Sequence, residues 1–118
     1  MEKITEKEFI SRCNIKNKLG ETVSGFDAYN LFCMMVFSDM EKTDEYKNNK
    51  PHCFMAGVYT IYQEGRERNL WVDSSCHKSP LRGVCDFGIT NMIIFDEITD
   101  DILDKINYYK KNGTAKFL

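Results

Sequence analysis

The residues with the clearest chemical potential lie together in a polar stretch, Asp73 to Gly83. Cys76 is followed directly by His77 and Lys78, and Arg82 comes four residues further on. Neighbouring cations lower the pKa of a thiol and so favour the nucleophilic thiolate. A long connection is also where catalytic side chains are commonly placed. This stretch is therefore the candidate site for cysteine chemistry.

A thiol nucleophile needs a base, and the chain contains two histidines. His52 would serve Cys76 if the segment that begins at His52 meets the polar stretch in space, with Asp73 or Asp86 orienting the imidazole. His77 is the poorer base, because adjacent side chains in an extended backbone point to opposite sides. The alternatives are a small thiol-dependent hydrolase or transferase and an incidental Cys-His neighbour pair in a surface loop.

The nitrogen and sulfur ligands in these segments would also suffice for one zinc ion: His52, Cys53, Cys76, His77 and Cys85. Their spacing matches no zinc motif, and alternation along a strand would send Cys53 and His52 to opposite faces. We therefore expect no bound metal and no other cofactor. The odd count of five cysteines favours reduced thiols, with Cys76 the most solvent-accessible of them.

A second feature is acidic, because the segment from Gly83 to Asp104 has six carboxylates and no lysine or arginine. Five of them would face a positively charged partner: Asp96, Glu97, Asp100, Asp101 and Asp104. Three aromatic side chains would add apolar contacts: Tyr59, Tyr62 and Trp71. The competing interpretation is a solvated helix start, since carboxylates stabilise the N-terminal end of the helix dipole.

The elements that would position these residues follow from periodicity and capping signals. Apolar residues cover most of the circumference from Ser24 to Met40, which predicts a buried central helix. Thr5 and Glu8 form a capping-box signature for an earlier helix that runs to Gly20, so the two helices would form an αα-hairpin. Thr99 caps a final helix that ends at Asn112.

Alternating apolar residues predict three strands: His52 to Gln63, Arg68 to Val72, and Ile89 to Phe95. The predicted fold class is α+β, with element order ααβββα and a mainly antiparallel three-stranded sheet packed on the buried central helix. Residues 1–118 would form a single globular domain. Because the strands are apolar on both faces, a face left uncovered would allow a homo-oligomer.

Composition narrows the function classes. The net charge of −2 and the pI near 5.7 disfavour direct nucleic-acid binding. The chain begins without a signal peptide pattern, and its longest charge-free run, 51–63, is too short to span a bilayer, so we predict a cytoplasmic protein without a membrane partner.

Two function classes follow. The first is a non-catalytic protein-binding module, such as an immunity or inhibitor protein that neutralises a basic toxin, nuclease or other enzyme through an acidic and aromatic surface. The alternative is a small cysteine-dependent enzyme or zinc-binding protein centred on Cys76, with His52 or His77. The adjacent gene, or co-purification with a protein or with zinc, would distinguish the two classes.

Overall fold

A computed structural model describes residues 1–79, 85–112 and 114–116 of the chain. Helices α1 to α4 span Glu6–Arg12, Gly25–Met40, Asp44–Lys47 and Asp100–Lys111. Strands β1 to β7 span Glu2–Lys3, Ile15–Lys16, Thr22–Val23, His52–Gln63, Arg66–Lys78, Cys85–Phe95 and Ala115–Lys116.

The main sheet has five strands in the order β1-β6-β5-β4-β7, and β2 pairs with β3 in a separate two-stranded sheet. The long strands β4, β5 and β6 are antiparallel, whereas β7 runs parallel to β4. The α+β class is therefore confirmed, but the prediction of a three-stranded, mainly antiparallel sheet was wrong. The two-residue strands β1 and β7 at its edges are too short to show a periodicity in the sequence.

The first helix ends at Arg12, well before the predicted end at Gly20. Cys13 and Ile15 are both buried, and the backbone at Cys13 is already extended. This alternation of buried positions is typical of a strand rather than of a helix. Ile15 pairs with Val23 in the β2-β3 hairpin, so the predicted αα-hairpin was wrong.

The predicted central helix is confirmed as α2, which lies against the sheet. Its fully buried residues recur every four positions: Ala28, Phe32, Val36 and Met40. The predicted burial on nearly every side was too strong, however, since Met34 is 69% exposed and Phe26 is 61% exposed. A helix on one side of a sheet buries one face and leaves the other in water.

The polar stretch 73–83 was predicted as a connection, but β5 continues through it as far as Lys78. Val72, Ser74 and Cys76 are buried and alternate with more exposed residues, which continues the period of two. On the other side β6 begins at Cys85, four residues before the predicted start at Ile89. The predicted loop was therefore wrong over 73–78.

Helices pack on both faces of the sheet. The inner face packs on α1 and α2, and its buried side chains on β4 are those of Cys53, Met55, Tyr59 and Ile61. On the outer face, α4 covers Ala56, Trp71 and Phe95 with Ile102 and Ile106. Beyond the end of α4 the outer face stays open, since Phe54 is 54% exposed. Whether copies of the chain associate through this part of the sheet stays a prediction.

We expect Gly57→Ala to lower the free energy of unfolding by about 1–3 kcal/mol, because it overpacks the junction of β4 and β7. A Cβ at Gly57 would lie 2.5 Å from the Lys116 carbonyl oxygen and 2.9 Å from the Tyr59 ring. The carbonyl is backbone and cannot rotate away. Urea denaturation measures the loss, and Gly88→Ala is the matched control, since a Cβ there meets nothing within 4 Å. Equal stability of the two variants would contradict the β4-β7 pairing.

Candidate functional site

Cys76 has no free thiol in this structure. Its side chain is 1% exposed, lies on the inner face of the sheet, and forms a disulfide bond with Cys85. The prediction that Cys76 is a reduced thiol, and the most accessible one, was therefore wrong. Arg82, one of the cations expected to activate it, lies outside the described residues. A thiolate nucleophile at Cys76 has no support in this arrangement.

The two histidines lie on the outer face, opposite the side that Cys76 occupies. His52 and His77 are direct partners in the register of β4 and β5, and their Nδ1 atoms are 3.1 Å apart. The ring centroids are 4.4 Å apart, and both residues are exposed to solvent. The structure thus brings the histidines to each other and keeps both away from the thiol.

The five residues considered as zinc ligands are also divided between the two faces of the sheet, with the cysteines on the inner face and the histidines on the outer face. Cys53 lies on the inner face, opposite to His52 as predicted, while Cys76 and Cys85 are bonded to each other. Across the described ranges, no group of three or more histidine, cysteine, aspartate or glutamate side chains is placed to hold a metal ion. A zinc site centred on Cys76 is therefore not formed by these residues.

Asp73, the residue expected to orient a catalytic histidine, contacts α4 and its surroundings instead. Its carboxylate accepts hydrogen bonds from the Trp71 indole nitrogen at 3.1 Å and from the Asn91 amide at 3.0 Å. Burial, together with the negative charge of Asp73, raises the pKa of Tyr109 to about 12. Asp73 therefore links Tyr109 of α4 to β5 and β6 on the outer face through hydrogen bonds.

The other orienting candidate, Asp86, lies on β6 directly opposite His77 in the register. His52, His77 and Asp86 therefore form a row across three adjacent strands, on the part of the sheet that α4 leaves open. All three are exposed.

Asp96 differs from the other predicted acidic contacts because it is paired within the chain. Arg68 donates two hydrogen bonds to its carboxylate, at 2.7 and 3.0 Å, and Arg66 lies 3.9 Å from it. This pairing neutralises Asp96 and joins the β4-β5 hairpin to the end of β6.

The remaining acids form what we call the acidic surface: Glu97, Asp100, Asp101 and Asp104, together with the exposed side chains of Ile98 and Leu103. No ion pair involves these four carboxylates within the part of the chain that the structure describes. Thr99 caps α4 as predicted, accepting a hydrogen bond from the Ile102 N–H at 3.5 Å. Ile98 and Leu103 are 63% and 45% exposed.

The predicted aromatic contacts do not lie with these acids. Trp71 is fully buried beneath α4, and Tyr59 is 7% exposed, with its hydroxyl donating to Asp39 at 2.8 Å. Burial and the hydrogen bond to that carboxylate both raise the pKa of Tyr59. Tyr62 is half-buried, and its hydroxyl donates to Glu67 at 3.3 Å.

An open groove of about 620 Å³ runs between α2 and the edge of β4. Its apolar walls include Leu31, Met34 and Val58. Tyr59 and Tyr62 also line the groove. Four lysines lie around it: Lys16, Lys18, Lys42 and Lys116. Of the described residues that line this groove, none is one of the five predicted acidic contacts. No local pattern in the sequence predicts the groove, because it forms between segments far apart in the chain.

Comparison with known proteins found no matching family model, no matching curated protein and no matching solved structure. Among the helices of the described residues, none has the length and apolar character that crossing a bilayer requires.

Proposed function

We propose that the protein is a non-catalytic protein-binding module whose contact region is the acidic surface. The observation that carries the proposal is the combination of two features at one end of α4. Four carboxylates without an ion pair in the described structure lie within the same eight residues, 97–104, as two exposed aliphatic side chains, those of Ile98 and Leu103. Helix capping accounts for the first-turn carboxylates Asp100 and Asp101, but not for an exposed isoleucine and leucine beside them.

This arrangement resembles the usual anatomy of a protein interface. Apolar side chains would form the dry centre, and charges around them would set the rate and specificity of association. A partner complementary to this surface presents basic residues around an apolar patch. A basic nuclease, toxin or other enzyme neutralised by an inhibitor or immunity protein has that chemistry. Trp71 and Tyr59 are too buried to contribute contacts, and Asp96 is already paired.

The test is a charge reversal that spares Asp96. We expect Glu97→Lys with Asp104→Lys to lower the association rate several-fold and to weaken its dependence on salt, because electrostatic attraction accelerates encounter. The control double variant, Glu6→Lys with Glu41→Lys, makes the same change in net charge at exposed sites away from α4.

Partners would first be captured on the immobilised wild-type chain from cells that naturally contain it. Stopped-flow association with the captured protein is then measured at two ionic strengths for all three forms, with circular dichroism to check folding. The proposal requires a basic partner whose association rate falls for the Glu97→Lys, Asp104→Lys variant and not for the control variant. If both double variants slow association equally, or neither does, the acidic surface is not the contact region.

A further inference from the structure

We infer that His52 and His77 together form a binding site for one divalent transition-metal ion of the imidazole-preferring kind, such as Ni²⁺ or Zn²⁺. This inference is independent of the acidic surface and involves no cysteine. The chain contains only two histidines, separated by 25 residues, and the fold places their Nδ1 atoms 3.1 Å apart.

The separation of the nitrogens suits a shared metal ion. With metal–nitrogen bonds of about 2.0–2.1 Å, two ligand nitrogens lie about 2.9 Å apart at a right angle and about 3.3 Å apart in a tetrahedral site. The observed 3.1 Å lies between these values. Imidazole nitrogen is a preferred ligand of Zn²⁺ and Ni²⁺. In the absence of metal, the same two atoms are close enough to share one hydrogen bond, so one ring donates and the other accepts.

The site is preorganised by the sheet. His52 and His77 face each other within a ladder of twelve paired positions between β4 and β5, and the Lys78 N–H donates to the Pro51 carbonyl at 2.8 Å just beyond it. The disulfide at Cys76 ties the adjoining end of β5 to β6. Binding therefore does not need to order the backbone, which lowers its entropic cost.

The surrounding charges also favour a cation. Asp86 is the neighbour of His77 on β6 and shares the outer face with it. The two lysines closest to the histidines in sequence are held elsewhere. Lys50 pairs with Glu45 at 3.2 Å, and the Lys78 ammonium donates to the Tyr46 carbonyl at 2.7 Å. Both histidines are exposed, so the ion reaches them from solvent, and water fills the remaining coordination positions.

Isothermal titration calorimetry with Ni²⁺, and separately with Zn²⁺, tests the site on the full chain. We expect saturable binding of one ion per chain by the wild type. His52→Ala and His77→Ala should each weaken it by about tenfold or more, because the second imidazole then no longer acts at a high effective concentration. The ring signals of both histidines should also shift in NMR spectra when the metal is added.

Two controls separate this site from other ligands. Thr60→Ala removes a polar group further along the same face of β4, and Cys33→Ser removes a free thiol that is only partly buried. Both should bind as the wild type does. The inference is overturned if the wild type shows no saturation at millimolar metal, if either histidine variant binds as tightly as the wild type, or if Cys33→Ser abolishes binding. The histidine variants should fold normally, since both side chains are exposed.

Discussion

Val36→Asp should leave the protein unfolded at room temperature. Val36 has no exposed surface, and it lies in the middle of α2 among Phe32, Met40 and the inner face of the sheet. A carboxylate there would be buried without a partner, which costs several kcal/mol or more. Domains of this size are stable by only about 5–15 kcal/mol in total. Circular dichroism and thermal denaturation would show the loss of the cooperative transition.

Met34→Asp is the matched control for this experiment. It introduces the same charge two residues earlier in the same helix, where the side chain is 69% exposed. We expect a cooperative unfolding transition close to that of the wild type, because surface substitutions usually change stability by less than about 0.5 kcal/mol. If Val36→Asp melts like Met34→Asp, the buried face of α2 has been assigned to the wrong residues.

Reducing the disulfide between Cys76 and Cys85 should lower the free energy of unfolding by about 2–3 kcal/mol. The two cysteines are nine residues apart, and a bond that closes a loop of this length restricts the unfolded chain by roughly that amount. Urea denaturation with and without dithiothreitol measures the difference. Mass spectrometry after alkylation of the unreduced, unfolded protein should find three modified cysteines: Cys13, Cys33 and Cys53.

Cys85→Ser and Cys33→Ser provide the matched pair. The first removes a disulfide partner, and its stability should no longer respond to dithiothreitol. The second removes a free thiol that is also only partly buried, and it should keep the full response of the wild type. A wild-type protein whose unfolding curve is the same with and without reductant, or that is alkylated at Cys76, would refute the disulfide.

Elements with strong local signals could be predicted from the sequence. The capping box of Thr5 and Glu8 forms as expected, with the Glu8 N–H donating to the Thr5 hydroxyl at 3.2 Å. The cap at Thr99 and the apolar run of α2 were identified for the same reason. Each depends on residues within four positions of one another, so the chain nearby contains all the information.

The extension of β5 beyond Val72 was missed because its outer-face residues there, Asp73, Ser75 and His77, are polar, while the inner-face residues are small. Ser74 and Cys76 carry the buried periodicity beyond Val72, and neither is a typical strand residue. Their burial compensates for this weak preference, and burial is a tertiary effect. The pairing of Cys76 with Cys85 likewise depends on two strands being adjacent.

The meeting of the two histidines had a signal that could have been found. Gln63 pairs with Arg66 across a two-residue turn, where Glu64 and Gly65 both have positive φ. Such a turn determines the register of a hairpin, and counting outward from it places His52 opposite His77. If the predicted strand had continued from Val72 to Lys78, the sequence alone would have predicted the contact between the two histidines.

By itself, then, the sequence determined the α+β class, the caps of the first and last helices, the buried helix α2 and the strand β4, because local periodicity and capping act over a few residues. Only the tertiary structure decided that Asp96 is neutralised by Arg68, that Trp71 and Tyr59 are buried, and that the acidic surface and the groove beside β4 are separate. Those outcomes depend on which distant segments become neighbours, and that choice is made by packing of the whole core rather than by any short stretch of chain.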